Sequence, residues 1–353
     1  MQNAIARFIG KIQVLILRLI LKLPDSWKVK MAGGKPLTLG GRTLDPDFQF
    51  ILHSVAKQPS FASMPAEEAQ ARAAASVEVF AAKPKPGVTH SDFTITSRGD
   101  HQIPVRLYTP DQQDPSAPMM AYWHQGGGVI GNIGFSDSFC RLIARTVKCP
   151  VLSVDYRLAP QHKFPAGLED CLDAYHWVLD NAAKHGAPAG RITIGGDSMG
   201  GNFSAIIAQE ARRNNFTLPE LQLLIYPATD IVSEFESYDT YGDIDPLTLE
   251  TMNWFMEQYL PAGHDRSDVR LCPGLEQDLT GLPPAIIATA GFDPLVDDSA
   301  AYARKLKAAG VETTHKCYDS TAHGFTAFMD IIPAARAACE EVAGMVRDAY
   351  AKF

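Results

Sequence analysis

The chain has 353 residues, enough for one large α/β domain with an inserted or appended lid. Lys+Arg 32 against Asp+Glu 40 leaves a net charge of −8, which excludes a nucleic-acid footprint, and 20% charged with 46% hydrophobic residues is ordinary for a soluble globular enzyme. The six cysteines (Cys140, Cys149, Cys171, Cys272, Cys317 and Cys339) have neither metal nor disulfide spacing and read as small buried side chains in a reducing, cytoplasmic compartment.

In residues 1–24, Arg7, Lys11, Arg18 and Lys22 share one narrow helical stripe, and nearly everything else from Ile5 to Leu23 is apolar. The charges interrupt the stretch too often for a secretory signal or a bilayer span. Its broad apolar face is expected to pack on its own domain or on a second subunit, giving a homo-oligomer. The alternative is an interfacial helix whose basic stripe meets anionic lipid as a peripheral membrane contact.

Two helical patterns follow from Leu44 to Ala82, opened by Asp45-Pro46 and by Ser63-Met64-Pro65. Phe93–Thr96 and Ile103–Tyr108 read as a hairpin turning at Arg98-Gly99-Asp100. Met119–Trp123 is a short apolar strand ending in His124-Gln125-Gly126-Gly127-Gly128, and consecutive glycines there leave backbone N–H groups unshielded, as an oxyanion hole requires. Val151–Asp155 is a buried strand, and a helix over 167–183 leads to the strand Ile192–Ile194. That strand runs into Gly195-Gly196-Asp197-Ser198-Met199-Gly200-Gly201, followed by a helix over Asn202–Arg212. A G-x-S-x-G between strand and helix is a nucleophile elbow, whose tight turn tolerates no side chain at Gly196 or Gly200. Further strands are expected at Leu221–Tyr226, Pro284–Ala290 and Thr313–Tyr318, with helices at Asp298–Ala309 and Pro333–Tyr350. Residues 231–272 lose this rhythm and read as an excursion from the sheet, helical over Thr248–Tyr259. Strand and helix alternating at these intervals give a mostly parallel sheet flanked by helices, with a helical cap. The expected divisions are 1–82 (extension and cap helices), 83–230 (core), 231–272 (second cap piece) and 273–353 (core).

A serine hydroxyl needs a histidine to take its proton and a carboxylate to orient that histidine. Of ten histidines, only His264, His315 and His323 follow Ser198. His264 lies in the excursion and His315 inside a strand, whereas His323 follows the last strand. Asp293, three residues past its strand and fixed by Pro294, is the chosen carboxylate, with Asp297 the alternative. Asp297 and Asp298 are expected to cap the next helix. Asp319 is too close to His323 in sequence to orient it from a separate loop. Asp197 is expected to hydrogen-bond locally.

These motifs resemble those of the bacterial hormone-sensitive-lipase-like esterases (family IV) of the α/β-hydrolase fold, over roughly residues 44–350. His124-Gln125-Gly126-Gly127-Gly128-Val129-Ile130-Gly131 is similar to the family's HGGG-x-V-I-G, Asp155-Tyr156-Arg157-Leu158-Ala159-Pro160 to DYRLAPE, and Gly196-Asp197-Ser198-Met199-Gly200-Gly201 to GDSAGG. Asp293-Pro294-Leu295 matches DPL, and His323-Gly324-Phe325 matches HGF. The resemblance implies a cofactor-free, metal-free carboxylesterase acting on a small-molecule ester of short to medium chain. It places the oxyanion donors on the N–H groups of Gly126, Gly127 and Met199, with Gly128 and Asp197 as expected pocket residues. Gln125, Gly128, Met199 and Gln161 depart from the family pattern. A lipase, an amidase and a non-catalytic binding protein on the same fold are the competing readings.

Overall fold

The computed structural model describes residues 16–80 and 84–353. Its centre is an eight-stranded sheet. After β1 (Thr38–Leu39) and β2 (Arg42–Thr43), which pair apart from the sheet, its strands are β3 (Val88–Thr96), β4 (Gln102–Pro110), β5 (Met119–Trp123), β6 (Val151–Val154), β7 (Ile192–Asp197), β8 (Gln222–Ile225), β9 (Ala285–Phe292) and β10 (Thr313–Ala322), side by side in the order β10-β9-β8-β7-β5-β6-β4-β3. β4 alone runs opposite to the other seven strands, pairing antiparallel with both β3 and β6. Chain order reverses around β5, whose partners are β6 on one side and β7 on the other. Ligands of open α/β sheets settle beyond the carboxyl ends of the strands at such a switch point.

Central strands of this kind must be apolar on both faces. Met119, Ala121 and Trp123 join one core with Leu168, Tyr175, Phe203 and Leu306. Met120 and Tyr122, pointing the other way, join a second core with Phe139, Ile143, Val342 and Val346. The first layer is therefore built from helices Ala166–Asn181, Met199–Arg213 and Val296–Ala308, and the second from Asp137–Val147 and Pro333–Tyr350.

Two groups of helices lie off the sheet. The first comprises α1 (Asp25–Met31), α2 (Pro46–Val55) and α3 (Ala66–Phe80). Asp45 caps α2 by accepting from the N–H of Asp47 and Phe48 at 2.9 and 3.2 Å. Lys28 and Asp47 form a buried ion pair between α1 and α2. A small ribbon, Thr38–Leu39 with Arg42–Thr43, joins them and was not expected from the sequence. The second group, within 231–272, contains a short helix, Glu236–Tyr241, beyond the expected one, which spans Leu249–Tyr259 and is capped by the Thr248 hydroxyl at 3.1 Å.

Residues 1–15 of the basic-striped segment lie outside the described residues. Of the rest, Leu17 and Leu21 pack against the second core, while Ile16, Leu19 and Leu23 are exposed, as is Trp27 in α1. No helix among the described residues is long and apolar enough to cross a membrane.

Candidate active site

Ser198 stands between β7 and the helix Met199–Arg213 with φ 54° and ψ −114°, a backbone state that a non-glycine residue adopts only under constraint. The constraint is visible on both sides. A Cβ on Gly200 would strike the carbonyl of Trp123 in β5, and one on Gly196 would strike the backbone of Gly200. The Ser198 N–H is spent on the carbonyl of Ile225 at 2.8 Å, which aims the hydroxyl above the sheet.

His323 is delivered by an irregularity. Between Tyr318 and Ala322 the register of β10 against β9 slips, and the displaced backbone of Asp319 presses on Gly291, where a Cβ would not fit. Asp319 itself turns outward to Arg42 at 3.0 Å. His323 Nε2 lies 3.0 Å from Ser198 Oγ, and its Nδ1 lies 2.7 Å from Asp293 Oδ2. An ionised carboxylate can only accept, so Nδ1 carries the proton and Nε2 is left to receive that of Ser198. Asp293 Oδ1 takes the N–H of Leu295 at 2.9 Å, and the carboxylate is wholly buried.

Asp297 and Asp298 do not cap the helix Val296–Ala308; Leu295 occupies the cap position and makes no side-chain bond there. Asp297 instead accepts the N–H of Ser237 at 3.0 Å. Asp298 accepts the N–H of Thr229 at 2.7 Å and also bonds its hydroxyl. Burial pushes the Asp298 carboxyl up to about 7. His315 sits in β10 beside Thr289, and His264 pairs with Asp268 at 3.3 Å, both apart from Ser198.

Gly126 and Gly127 follow β5 with φ of 127° and 63°, values that suit glycine. Their N–H groups, and that of Met199, donate to no acceptor among the described residues, and all three residues border the cavity above Ser198. The glycine turn is held from behind. Tyr156 donates to the His124 carbonyl at 2.7 Å, the Ala159 N–H donates to Gly128 at 2.9 Å, and Arg157 is locked by Asp170 at 2.8 and 3.0 Å. Burial lowers the pKa of His124, which stacks on Tyr156 at 4.3 Å. From α3, the Gln70 amide reaches Val129 and Ala159 at 2.9 and 3.0 Å and pairs with Gln161, which gives that departure a local partner.

The cavity has a volume of about 470 Å³. Its floor holds Ser198 and His323, and its walls are largely apolar, with Phe61 from the N-terminal segment and Leu247, Met252 and Phe255 from residues 231–272. Gly128 and Asp197, expected at the pocket, do not line it. Gly128 faces the Tyr259 ring, which a Cβ would meet at 2.7 Å. Asp197 is fully buried, its carboxyl pKa raised by burial, and accepts from Thr326, Tyr226 and Ser136 at 2.7, 3.1 and 3.3 Å. These partners are far away in sequence, so the expected local bond is replaced by a long-range one. Nothing in the spacing of Tyr226 or Thr326 announced it.

A family model for the α/β hydrolase fold matches residues 120–327. The chain belongs to the α/β-hydrolase family. Among curated relatives of this α/β-hydrolase, carboxylic ester hydrolase LipN of Mycobacterium tuberculosis is 37% identical over 86% of this chain and 82% of its own. Ethyl acetate hydrolase of Pseudomonas putida is 35% identical over 82% and 94%. The solved hyperthermophilic esterase of Pyrobaculum calidifontis superposes with a TM-score of 0.81 at 36% identity, covering 86% of this chain and 98% of that one. The resemblance to the hormone-sensitive-lipase-like esterases therefore holds along most of the α/β-hydrolase chain.

Proposed function

We propose that this α/β-hydrolase is a serine carboxylesterase for small-molecule esters of short to medium acyl chain, about C2 to C8 as the resemblance to the hormone-sensitive-lipase-like esterases implies, bound in a largely apolar cavity. The carrying observation is the hydrogen-bonded line from Ser198 through His323 to Asp293 on the floor of that cavity.

Ser198 Oγ attacks the ester carbonyl as its proton passes to His323 Nε2, and buried Asp293 stabilises the resulting imidazolium. The carbonyl oxygen, now an anion, accepts the free N–H groups of Gly126, Gly127 and Met199. Collapse breaks the bond to the alcohol oxygen, which leaves with the His323 proton, and the acyl group stays on Ser198. Water then attacks the acyl-enzyme, with His323 as base, releasing the acid and restoring the serine. Two relatives named for ester hydrolysis, one of them for ethyl acetate, support this class.

The test is a panel of nitrophenyl esters of rising chain length, alongside an amide and emulsified triglyceride. Turnover that peaks at short to medium soluble esters supports the reading. Preference for the amide or the emulsion would replace it with one of its competitors. We further favour a cytoplasmic enzyme, on the six unpaired cysteines, and a second copy over a membrane as the cover for the exposed residues near Leu19.

A further inference from the structure

Gln125 stands where the resembled family has the first glycine of its HGGG motif. Its side chain belongs to the same cavity as Ser198 and His323, and the residue is only 8% exposed. The carboxamide lies against Gly324, its Oε1 3.1 Å and its Nε2 3.9 Å from where a Cβ on that glycine would be. Gly324 has φ 75° and no side chain, so the gap beside it stays open. No donor or acceptor among the described residues bonds the Gln125 carboxamide, which opens on the cavity instead of being sealed in the core. A nearly buried amide facing an apolar cavity with its hydrogen bonds unmade invites a ligand atom to make them.

The side of the reacting ester that it meets follows from His323. The leaving alcohol oxygen must lie within reach of His323 Nε2 to collect its proton. Gln125 and its neighbour Gly324 line the cavity together with His323, so an alcohol part directed toward His323 has this carboxamide within its wall.

We propose, resting on the esterase reading above, that Gln125 is a specificity-determining residue that hydrogen-bonds a second oxygen on the alcohol part of the ester. The favoured substrates are then monoesters of diols and polyols, whose alcohol carries a hydroxyl or ether oxygen close to the ester oxygen. A Gly or Leu at 125 keeps the chemistry, since the backbone donors lie on other residues, and loses the preference.

The experiment compares 2-hydroxyethyl butyrate with n-propyl butyrate, which replaces the hydroxyl by a methyl, each rate referred to that ester's hydroxide-catalysed hydrolysis. Gln125→Leu and Gln125→Gly should each lower kcat/KM for the hydroxyethyl ester by about 3- to 10-fold, the size of one net hydrogen bond. Hydrolysis of the propyl ester should stay within about twofold. The glycine variant carries the family's own residue, so it guards against a folding failure in the leucine variant. Both esters falling together, or a wild-type preference unchanged in the variants, overturns the proposal while leaving the esterase reading intact. Folded wild-type protein that cleaves neither ester overturns both.

Discussion

The Thr326 hydroxyl donates to Asp197 at 2.7 Å, so a residue just past His323 is fastened to the residue just before Ser198. Tyr226 also donates to Asp197 and its hydroxyl lies against that of Thr326, and its ring lies 4.7 Å from that of His323. The proposed nucleophile and base are therefore held in register from beneath by a network that never reaches the cavity. Thr326→Val, nearly isosteric, should cost about 1–3 kcal/mol of stability by leaving Asp197 short of a donor. It should also lower kcat by up to about 10²-fold through a displaced imidazole, with little change in KM. Thermal denaturation with steady-state kinetics would check both; full turnover in a destabilised variant would mean the network serves stability alone.

Ser198→Ala should remove activity by about 10⁶-fold in turnover while leaving circular dichroism unchanged. Asp293→Asn should cost about 10⁴-fold, because it favours the wrong histidine tautomer. Asp297→Asn should be mild, since that carboxylate is engaged with Ser237. An Asp297 variant more damaging than the Asp293 one would transfer the orienting role to Asp297.

Asp298 makes stability depend on pH. Its carboxyl goes from an ordinary 3.8 when unfolded to about 7 in the fold, raised by burial. The native state thus holds a proton that the unfolded chain has lost, so stability falls as pH rises from the ordinary carboxyl range to about 7, and levels off above it. Asp298→Asn carries no such charge. Its melting temperature relative to wild type should be more favourable at pH 8 than at pH 5; an equal difference at both would remove Asp298 as the source.

Gly128→Ala should destabilise the protein by about 1–3 kcal/mol, because the methyl group meets the Tyr259 ring and the positive φ is strained. The acyl-chain profile of the folded variant should match wild type. A shifted profile with unchanged melting would return Gly128 to the pocket wall.

Deleting residues 1–24 should lower the melting temperature and the mass seen in light scattering, since Leu17 and Leu21 pack on the body while Ile16 and Leu19 remain uncovered. Full-length protein that sediments with anionic vesicles and is released by salt would instead assign that strip to a membrane surface.

The sheet and its flanking helices were legible because buried strands and amphipathic helices repeat on periods that survive in the sequence. Ser198, Asp293 and His323 were legible because each lies at or just past the end of a strand. What escaped depends on side-chain direction or on partners distant along the chain. Asp298 looks like a helix cap in sequence, and only the fold brings Thr229 to it. Gly128 looks like an emptied pocket wall, but its missing side chain points at Tyr259. The Asn202 amide is another such case. It bonds the carbonyls of Ala228 and Leu271 at 2.7 and 2.8 Å, tying one residue of the helix Met199–Arg213 to the chain just before and at the end of residues 231–272.

That double attachment has a consequence for engineering. The Gly274 N–H closes the base of the loop on the Thr229 carbonyl at 2.8 Å, so the segment between them leaves and rejoins the body at nearly one point. The corresponding segment of a relative can be transplanted between these two residues without rerouting the sheet, provided that the graft places a backbone carbonyl where Asn202 meets that of Leu271. It would also need a serine at the place of Ser237, whose hydroxyl holds the Pro294 carbonyl at 2.5 Å and whose N–H holds Asp297. A graft cut further out would keep the original footing and exchange only the walls that meet the substrate. One cut further in would loosen the loop that carries Asp293.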